Sequence, residues 1–285
     1  MRSLILIAAL LGAACQSAPV ANVASAGGGQ PIVLGHGYDI ASTVLGEVRH
    51  VNVYLPAGYA TGETRYPVLY LIDGGVDQDF VHIAGLSQHA TISGSFREMI
   101  VVGIETRDRR RELTFPAVTD ASLRKDYPTH GESDRFRAFV TGEVKSWVEQ
   151  RYRTDGFDAV MGESLAGLFV TEAFLKQPDA FDGYIAIDPS LWWDKEALSR
   201  AAPGLLAGQA AGARTLFMAI AESGLEMRVG QAMMSAAIIW LAPGRLSTIT
   251  CWPIAGCNCW PMARANRSLL PPGGAPTRKR MDFDG

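Results

Sequence analysis

The residues with the plainest chemical potential lie between 157 and 167. An apolar run, Phe157-Asp158-Ala159-Val160-Met161, leads into Gly162-Glu163-Ser164-Leu165-Ala166-Gly167, and a helical pattern follows through Leu168, Phe169, Ala173, Phe174 and Leu175. The spacing predicts a strand, a sharp turn and a helix, with Ser164 at the apex. Small residues at 162, 166 and 167 let the backbone take a cramped turn and let strand and helix approach closely. Such a turn lifts the Ser164 hydroxyl out of the sheet, and the Leu165 N–H at the helix start can face a developing oxyanion. The chemistry this suits is nucleophilic attack on a carbonyl carbon. A Gly-x-Ser-x-x-Gly turn with no catalytic task is the plainer alternative, since glycine–serine turns are common.

The elements that must position this serine can be read around it. Residues 66–72 (Tyr-Pro-Val-Leu-Tyr-Leu-Ile) form a continuous apolar run, as expected of a central strand covered on both faces, and it ends at Asp73-Gly74-Gly75. Residues 99–104 form a second such run, ahead of a charged loop at 105–112. Stretches 31–41 and 48–55 are β-rich, the second closed by Pro56, and 135–152 has helical spacing through Phe136, Phe139, Val140, Val144, Trp147 and Val148. Residues 184–187 and 215–221 read as later strands, running into Asp188 and Glu222. Strands alternating with helices predict an α/β fold, a mostly parallel central sheet with helices on both faces. Ligands of such sheets sit at the carboxyl ends of the strands. Gly74 and Gly75, Ser164, Asp188 and Glu222 all fall at predicted strand ends.

The totals suit one such domain. The chain has 285 residues, 48% hydrophobic and 19% charged, which is enough to bury a sheet and unlike a disordered chain. A net charge of -3 argues against nucleic-acid binding. At the N-terminus, Arg2 and the apolar stretch 4–11 read as an export signal, too short to span a bilayer at about 20 residues needed. Two processing routes are open: a lipoprotein-like box ending at Cys15, with Gly12 where leucine is usual, or cleavage after Ala24-Ser25-Ala26. The expected organisation is a signal and flexible linker at 1–30, a catalytic domain at 31–254 and an atypical tail at 255–285. The expected location is periplasmic or secreted, with membrane contact only through a lipid anchor at Cys15.

Several pieces occur in the order of a known family. They are Leu69-Tyr70-Leu71-Ile72-Asp73-Gly74, Val101-Val102-Gly103-Ile104, Arg111-Glu112-Leu113-Thr114-Phe115-Pro116, the Ser164 turn, and Asp188-Pro189-Ser190-Leu191-Trp192-Trp193-Asp194. With them the chain resembles the esterase branch of the α/β-hydrolases, which includes enterobacterial ferric-siderophore esterases; S-formylglutathione hydrolase is a more distant relative. The resemblance implies the α/β-hydrolase fold and a serine hydrolase acting on a small-molecule carboxylic ester, with no cofactor or metal.

The chemistry then assigns parts. Ester hydrolysis needs an activated hydroxyl, a base that later serves as acid, and donors for the tetrahedral oxyanion. Ser164 is the nucleophile; Leu165 N–H and one N–H of the Gly74–Gly75 turn are the oxyanion donors. The resemblance puts the triad acid at Glu222, which could equally be a surface helix cap. Trp192 and Trp193 could line an acyl or aryl pocket, or pack in the core. The base is missing from its expected place. The fold orders its triad serine, acid, histidine, yet His36, His50, His82, His89 and His130 all precede Ser164.

Composition shifts as well. From Met227 to Met281 there is no aspartate or glutamate, and Cys251, Cys257 and Cys259 crowd into the tail without zinc spacing. One reading is that this tail is translated in a shifted frame. Three functional readings are therefore open: an active esterase, a catalytically impaired member that at most binds ester-like ligands, and an acyltransferase on the same scaffold.

Overall fold

The computed structural model describes residues 30–209, 214–220 and, as backbone, 248–253. The chain divides into a unit at Met1–Val33, of which residues 30–33 are described and carry no regular structure, and a unit at Leu34–Gly285. The export signal, Cys15, Glu222 and the tail at 255–285 lie outside the described residues.

The second unit is built on an eight-stranded sheet. The strands are β1 (His36–Ser42), β2 (Glu47–Tyr54), β3 (Tyr66–Ile72), β4 (Ile100–Ile104), β5 (Thr154–Glu163), β6 (Gly183–Ile187), β7 (Thr215–Ile220) and β8 (Thr248–Pro253). Their order across the sheet is β1-β2-β4-β3-β5-β6-β7-β8. β1 runs antiparallel to β2 and β2 to β4; every other pair is parallel.

The central strand shows why the apolar run matters. All seven residues of β3 are buried, and they alternate between two cores. Val68, Tyr70 and Ile72 join the larger cluster, Leu69 and Leu71 the smaller one on the opposite face, as the two-residue period of a strand demands. The smaller cluster is closed by α1 (Phe80–Ile92) through Phe80, Ile83 and Ala84. The larger one includes α6 (Leu165–Lys176), with eleven of its residues buried, and residues of α7 (Trp193–Ala207). A mostly parallel sheet with helices on both faces is thus the architecture.

Three short helices, α2 (Arg109–Leu113), α3 (Ala121–Asp126) and α4 (Ser133–Ala138), fill the excursion between β4 and β5. The helical stretch expected at 135–152 is present but composite: α4, a π-helical turn at Phe139–Val144, then α5 (Lys145–Glu149). The π turn carries Glu143, whose carboxylate accepts from the Thr43 and Val44 N–H groups and so fastens the β1–β2 hairpin. Periodicity alone shows an apolar stripe here and cannot show that inserted residue. β1 starts at His36 rather than at residue 31, and β8 is a strand that the sequence alone did not single out. No helix among the described residues is long and apolar enough to cross a membrane.

Candidate active site

β5 ends at Glu163, α6 begins at Leu165, and Ser164 makes the whole turn between them with φ 58° and ψ -116°. A non-glycine residue with positive φ is strained, and such strain concentrates at functional positions. The strain is enforced from both sides. A Cβ on Gly162 would stand 2.6 Å from the Ala166 carbonyl carbon, and one on Gly167 would stand 2.9 Å from the Ile187 oxygen. Helix and strand therefore close on each other only because neither position carries a side chain. Asp73 (φ 60°) at the exit of β3 and Asp188 (φ 41°) at the exit of β6 share the left-handed habit. Three neighbouring parallel strands thus end in the same kind of bend.

Ser164 is half-buried and its Oγ lies 3.3 Å from the Ser190 Oγ. Its backbone is gripped by the exit of β6: Ser164 N–H donates to the Ile187 carbonyl at 2.9 Å, and Ser190 N–H donates to the Ser164 carbonyl at 3.0 Å. Leu165 is the first residue of α6, so its N–H precedes the intrahelical ladder and points out of the helix end.

The β3 turn is brought alongside. Leu71 pairs with Met161, so the Asp73–Gly75 turn, beginning two residues on, and Ser164, three residues on, leave the sheet side by side. The two glycine N–H groups differ. Gly74 donates to the Ile104 carbonyl at 2.8 Å, whereas Gly75 donates to the Gln78 side chain at 2.9 Å. A side-chain acceptor can swing aside; a strand carbonyl cannot. Asp73 fixes the turn: its carboxylate accepts from Arg109 Nε at 2.8 Å and Nη2 at 2.7 Å, and from the Thr106 hydroxyl. The Gln78 amide in turn donates to the Thr106 carbonyl at 3.0 Å.

The stretch after β6 reaches across to the excursion that follows β4. Trp193 is buried and its Nε1 donates to the Phe115 carbonyl at 2.9 Å. Asp194, also buried, accepts from the N–H groups of Val118 (3.1 Å), Thr119 (2.8 Å) and Asp120 (2.7 Å) and from the Thr119 hydroxyl. Burial alone would push its carboxyl upward, but the Thr119 hydroxyl and those N–H groups outweigh it and hold the pKa below the usual range. Asp194, Lys195 and Glu196 form a left-handed turn that aims this carboxylate. Trp192 is half-buried, its ring 5.9 Å from that of Trp193.

The histidines sit elsewhere. His36 and His50 are on β1 and β2, with His50 Nδ1 2.8 Å from Asp39. His82 and His89 are exposed on α1, and the Nδ1 of His82 lies 3.7 Å from Asp79. His130 Nδ1 is 2.6 Å from the Tyr127 carbonyl oxygen, its ring 5.9 Å from Trp193. Among the described residues, the polar partner of Ser164 Oγ is Ser190 rather than an imidazole. Groups of three or more His, Cys, Asp or Glu able to hold a metal are absent among the described residues.

Sequence reading did not single out Ser190, Asp194 or the Asp73–Arg109 pair. Ser190 and Asp194 stood inside a recognisable motif, but their contacts lie 26 and about 75 residues away in the chain. Only strand order brings them to their partners.

Comparison with known proteins agrees with this geometry. The family model described as "Putative esterase" matches residues 42–245, well over half the chain. The ferri-bacillibactin esterase BesA of Bacillus subtilis is 34% identical over 145 residues, 46% of this chain and 50% of that protein. The siderophore triacetylfusarinine C esterase of Aspergillus fumigatus is 28% identical over 145 residues, 47% of each chain. The chain thus spans half or less of the length of the curated relatives it matches. An IroE-like serine hydrolase from Shewanella oneidensis superposes with a TM-score of 0.68 at 28% identity, covering 77% of this chain and 73% of that one. The BES protein of Bacillus cereus shares the fold at 21% identity, with a TM-score of 0.67 over 85% of this chain and 96% of its own. The strand order, the bend at Ser164 and the span of the family match agree: this chain is a member of the esterase family with the α/β-hydrolase fold.

Proposed function

We propose that this protein hydrolyses carboxylic esters through an acyl-enzyme on Ser164. The observation that carries the reading is the left-handed bend at Ser164, with a helix N-terminus on one side and the Asp73–Gly75 turn on the other. Ser164 Oγ attacks the ester carbonyl as a base takes its proton, the alcohol departs with that proton, and water then releases the acid from the acyl-enzyme. On attack the carbonyl oxygen becomes an anion received by Leu165 N–H. A second N–H comes from Gly75 once Gln78 releases it; Gly74 serves as the small residue that lets the turn lie against β4. Loss of one such donor typically costs about 2.7–4 kcal/mol of transition-state stabilisation. The half-buried Trp192, backed by Trp193, walls the acyl or aryl side. Glu222 is proposed as the triad acid. The relatives are named as siderophore esterases, and we take a siderophore ester as the first natural substrate class to test. Residues 1–30 are proposed to export the protein, by a lipid anchor at Cys15 or by free secretion.

A second reading has its own support. The hydroxyl of Ser164 meets another hydroxyl, and all five histidines lie upstream of it, His50 and His130 engaged elsewhere. A serine without a base loses several orders of magnitude in rate. On that reading the chain is an impaired member that binds ester-like ligands in the same cleft.

The experiment is fluorophosphonate labelling of the purified chain and of Ser164→Ala, with turnover of short p-nitrophenyl esters. Labelling lost in S164A, with ester release, supports the hydrolase. No labelling and no release supports the impaired reading. Faster release on adding an alcohol, with transfer of the acyl group to it, redirects the assignment to an acyltransferase.

A further inference from the structure

We infer that Ser190 is a positioning residue for the nucleophile: its buried hydroxyl selects the rotamer in which Ser164 Oγ stands at the bend. The inference rests on the reading of Ser164 as nucleophile given above.

The contact is built, and the building is one-sided. Ser190 is 4% exposed, while Ser164 is open enough to be reached, so the former can act as a fixed point for the latter. Every neighbour of Ser190 in the chain is tied down. Leu191 N–H closes a tight turn on the Pro189 carbonyl, and Trp193 N–H donates to the Ser190 carbonyl at 3.1 Å. Trp193 is held by the Phe115 carbonyl, and Asp194 by three consecutive N–H groups of residues 118–120. The Ser190 N–H itself is spent on the Ser164 carbonyl. The Ser190 backbone is therefore fixed and its hydroxyl is confined by burial, whereas Ser164 Oγ, half-exposed, has three staggered positions to choose from. At 3.3 Å the Ser190 hydroxyl is the polar group, among the described residues, that favours one of them.

A hydroxyl suits the position because it is both donor and acceptor. Accepting from the Ser164 O–H, it turns the lone pairs of Oγ outward toward an incoming carbonyl. Donating to Oγ, it favours the oxygen when that atom carries negative charge. Neither role makes or breaks a covalent bond at Ser190. Alanine at 190 would keep the backbone grip and lose only the hydroxyl, so the two contributions are separable.

The test uses the full chain and a readout that needs no triad. In a Ser164→Cys background, the iodoacetamide alkylation rate is measured against pH, since the thiolate is the reacting form. Adding Ser190→Ala should raise the midpoint of that profile and lower alkylation near neutral pH about fivefold, the scale of one neutral hydrogen bond. Ser190→Thr should restore both. Thermal melts check that the variants fold. If S190A does not fold, Ser190→Thr is compared with Ser190→Val, equal in volume and differing in the hydroxyl. Fluorophosphonate labelling of S190A with Ser164 intact forms the second arm, expected to slow by a similar factor. An unchanged pH profile in the thiol background overturns the inference. A shifted profile in a chain that neither labels nor cleaves esters leaves the positioning role standing and sinks the hydrolase reading.

Discussion

The turns that end β5 and β3 leave the sheet side by side and share a left-handed residue, yet opposite means hold them. Around Ser164 the constraint is shape: two glycines, a helix pressed onto a strand, and one pair of neutral hydroxyls. Around Asp73 it is charge: a carboxylate gripped twice by Arg109 and once by Thr106, with Gln78 completing the net. The difference follows from what each bend must present. On the proposed reading the Ser164 hydroxyl has to meet both a base and a substrate, and here its neighbours constrain the backbone and leave the side chain weakly held. On the same reading the opposite turn offers a backbone N–H, which is best fixed in advance, and the Asp73–Arg109 pair fixes that turn. The charge-held part extends outward through Arg49–Glu112 and Asp194, so polar attachments recur along the excursion at 105–120 beside the buried Leu113, Phe115 and Ala117.

The largest effect is expected at Glu112. This carboxylate is buried against Arg49, which is 0% exposed, with Arg49 Nη1 and Nη2 at 2.9 and 2.8 Å. Glu112→Ala leaves the buried Arg49 guanidinium with Glu47 as its remaining carboxylate and is expected to destabilise the fold by about 3 kcal/mol in urea unfolding. A loss under 1 kcal/mol would mean that charge does not hold this region. On the shape-held side, Gly162→Ala forces a Cβ into the Ala166 backbone and is expected to cost about 1–3 kcal/mol. It should also abolish Ser164 labelling, because the bend cannot close; a variant with full labelling would show that the fit is loose.

Asp194 sharpens the contrast through pH. Its folded pKa is depressed, so its contribution to stability is fully present above the unfolded value of about 3.9 and is lost as pH falls through the lower, folded value. Asp194→Asn is expected to cost about 1–3 kcal/mol at neutral pH and to flatten that acid-side slope in thermal melts between roughly pH 2 and 5. An identical slope in D194N would remove the anion from the account. The smallest effect belongs to the surface pair Arg97–Asp155, 2.6 Å apart but with the arginine 65% exposed. Asp155→Ala should change stability by about 0–1 kcal/mol and lose what effect it has in high salt. Charge would then matter here only where it is buried.

Much of the fold was legible because its physics is local. The all-apolar β3, the glycine-flanked serine and the β–α alternation need only near neighbours to be read, and they yielded a parallel sheet with a serine at a strand end. The breaks in the pattern were harder. The π turn at Phe139–Val144 keeps the apolar stripe of a plain helix, and α7 hides a left-handed turn behind ordinary helix formers. β8 is a six-residue strand recognisable by its pairing with β7.

By itself, then, the sequence determined which backbone could bend at Ser164 and which family the pieces belong to, since glycine placement and apolar runs act over a few residues. Tertiary structure alone decided what touches that serine. Ser190 reaches it because β6 lies beside β5, Arg109 reaches Asp73 because β4 lies beside β3, and Asp194 finds its three donors some 75 residues away. Contacts of that range depend on strand order, and strand order is settled by the burial of the whole sheet rather than by any one segment.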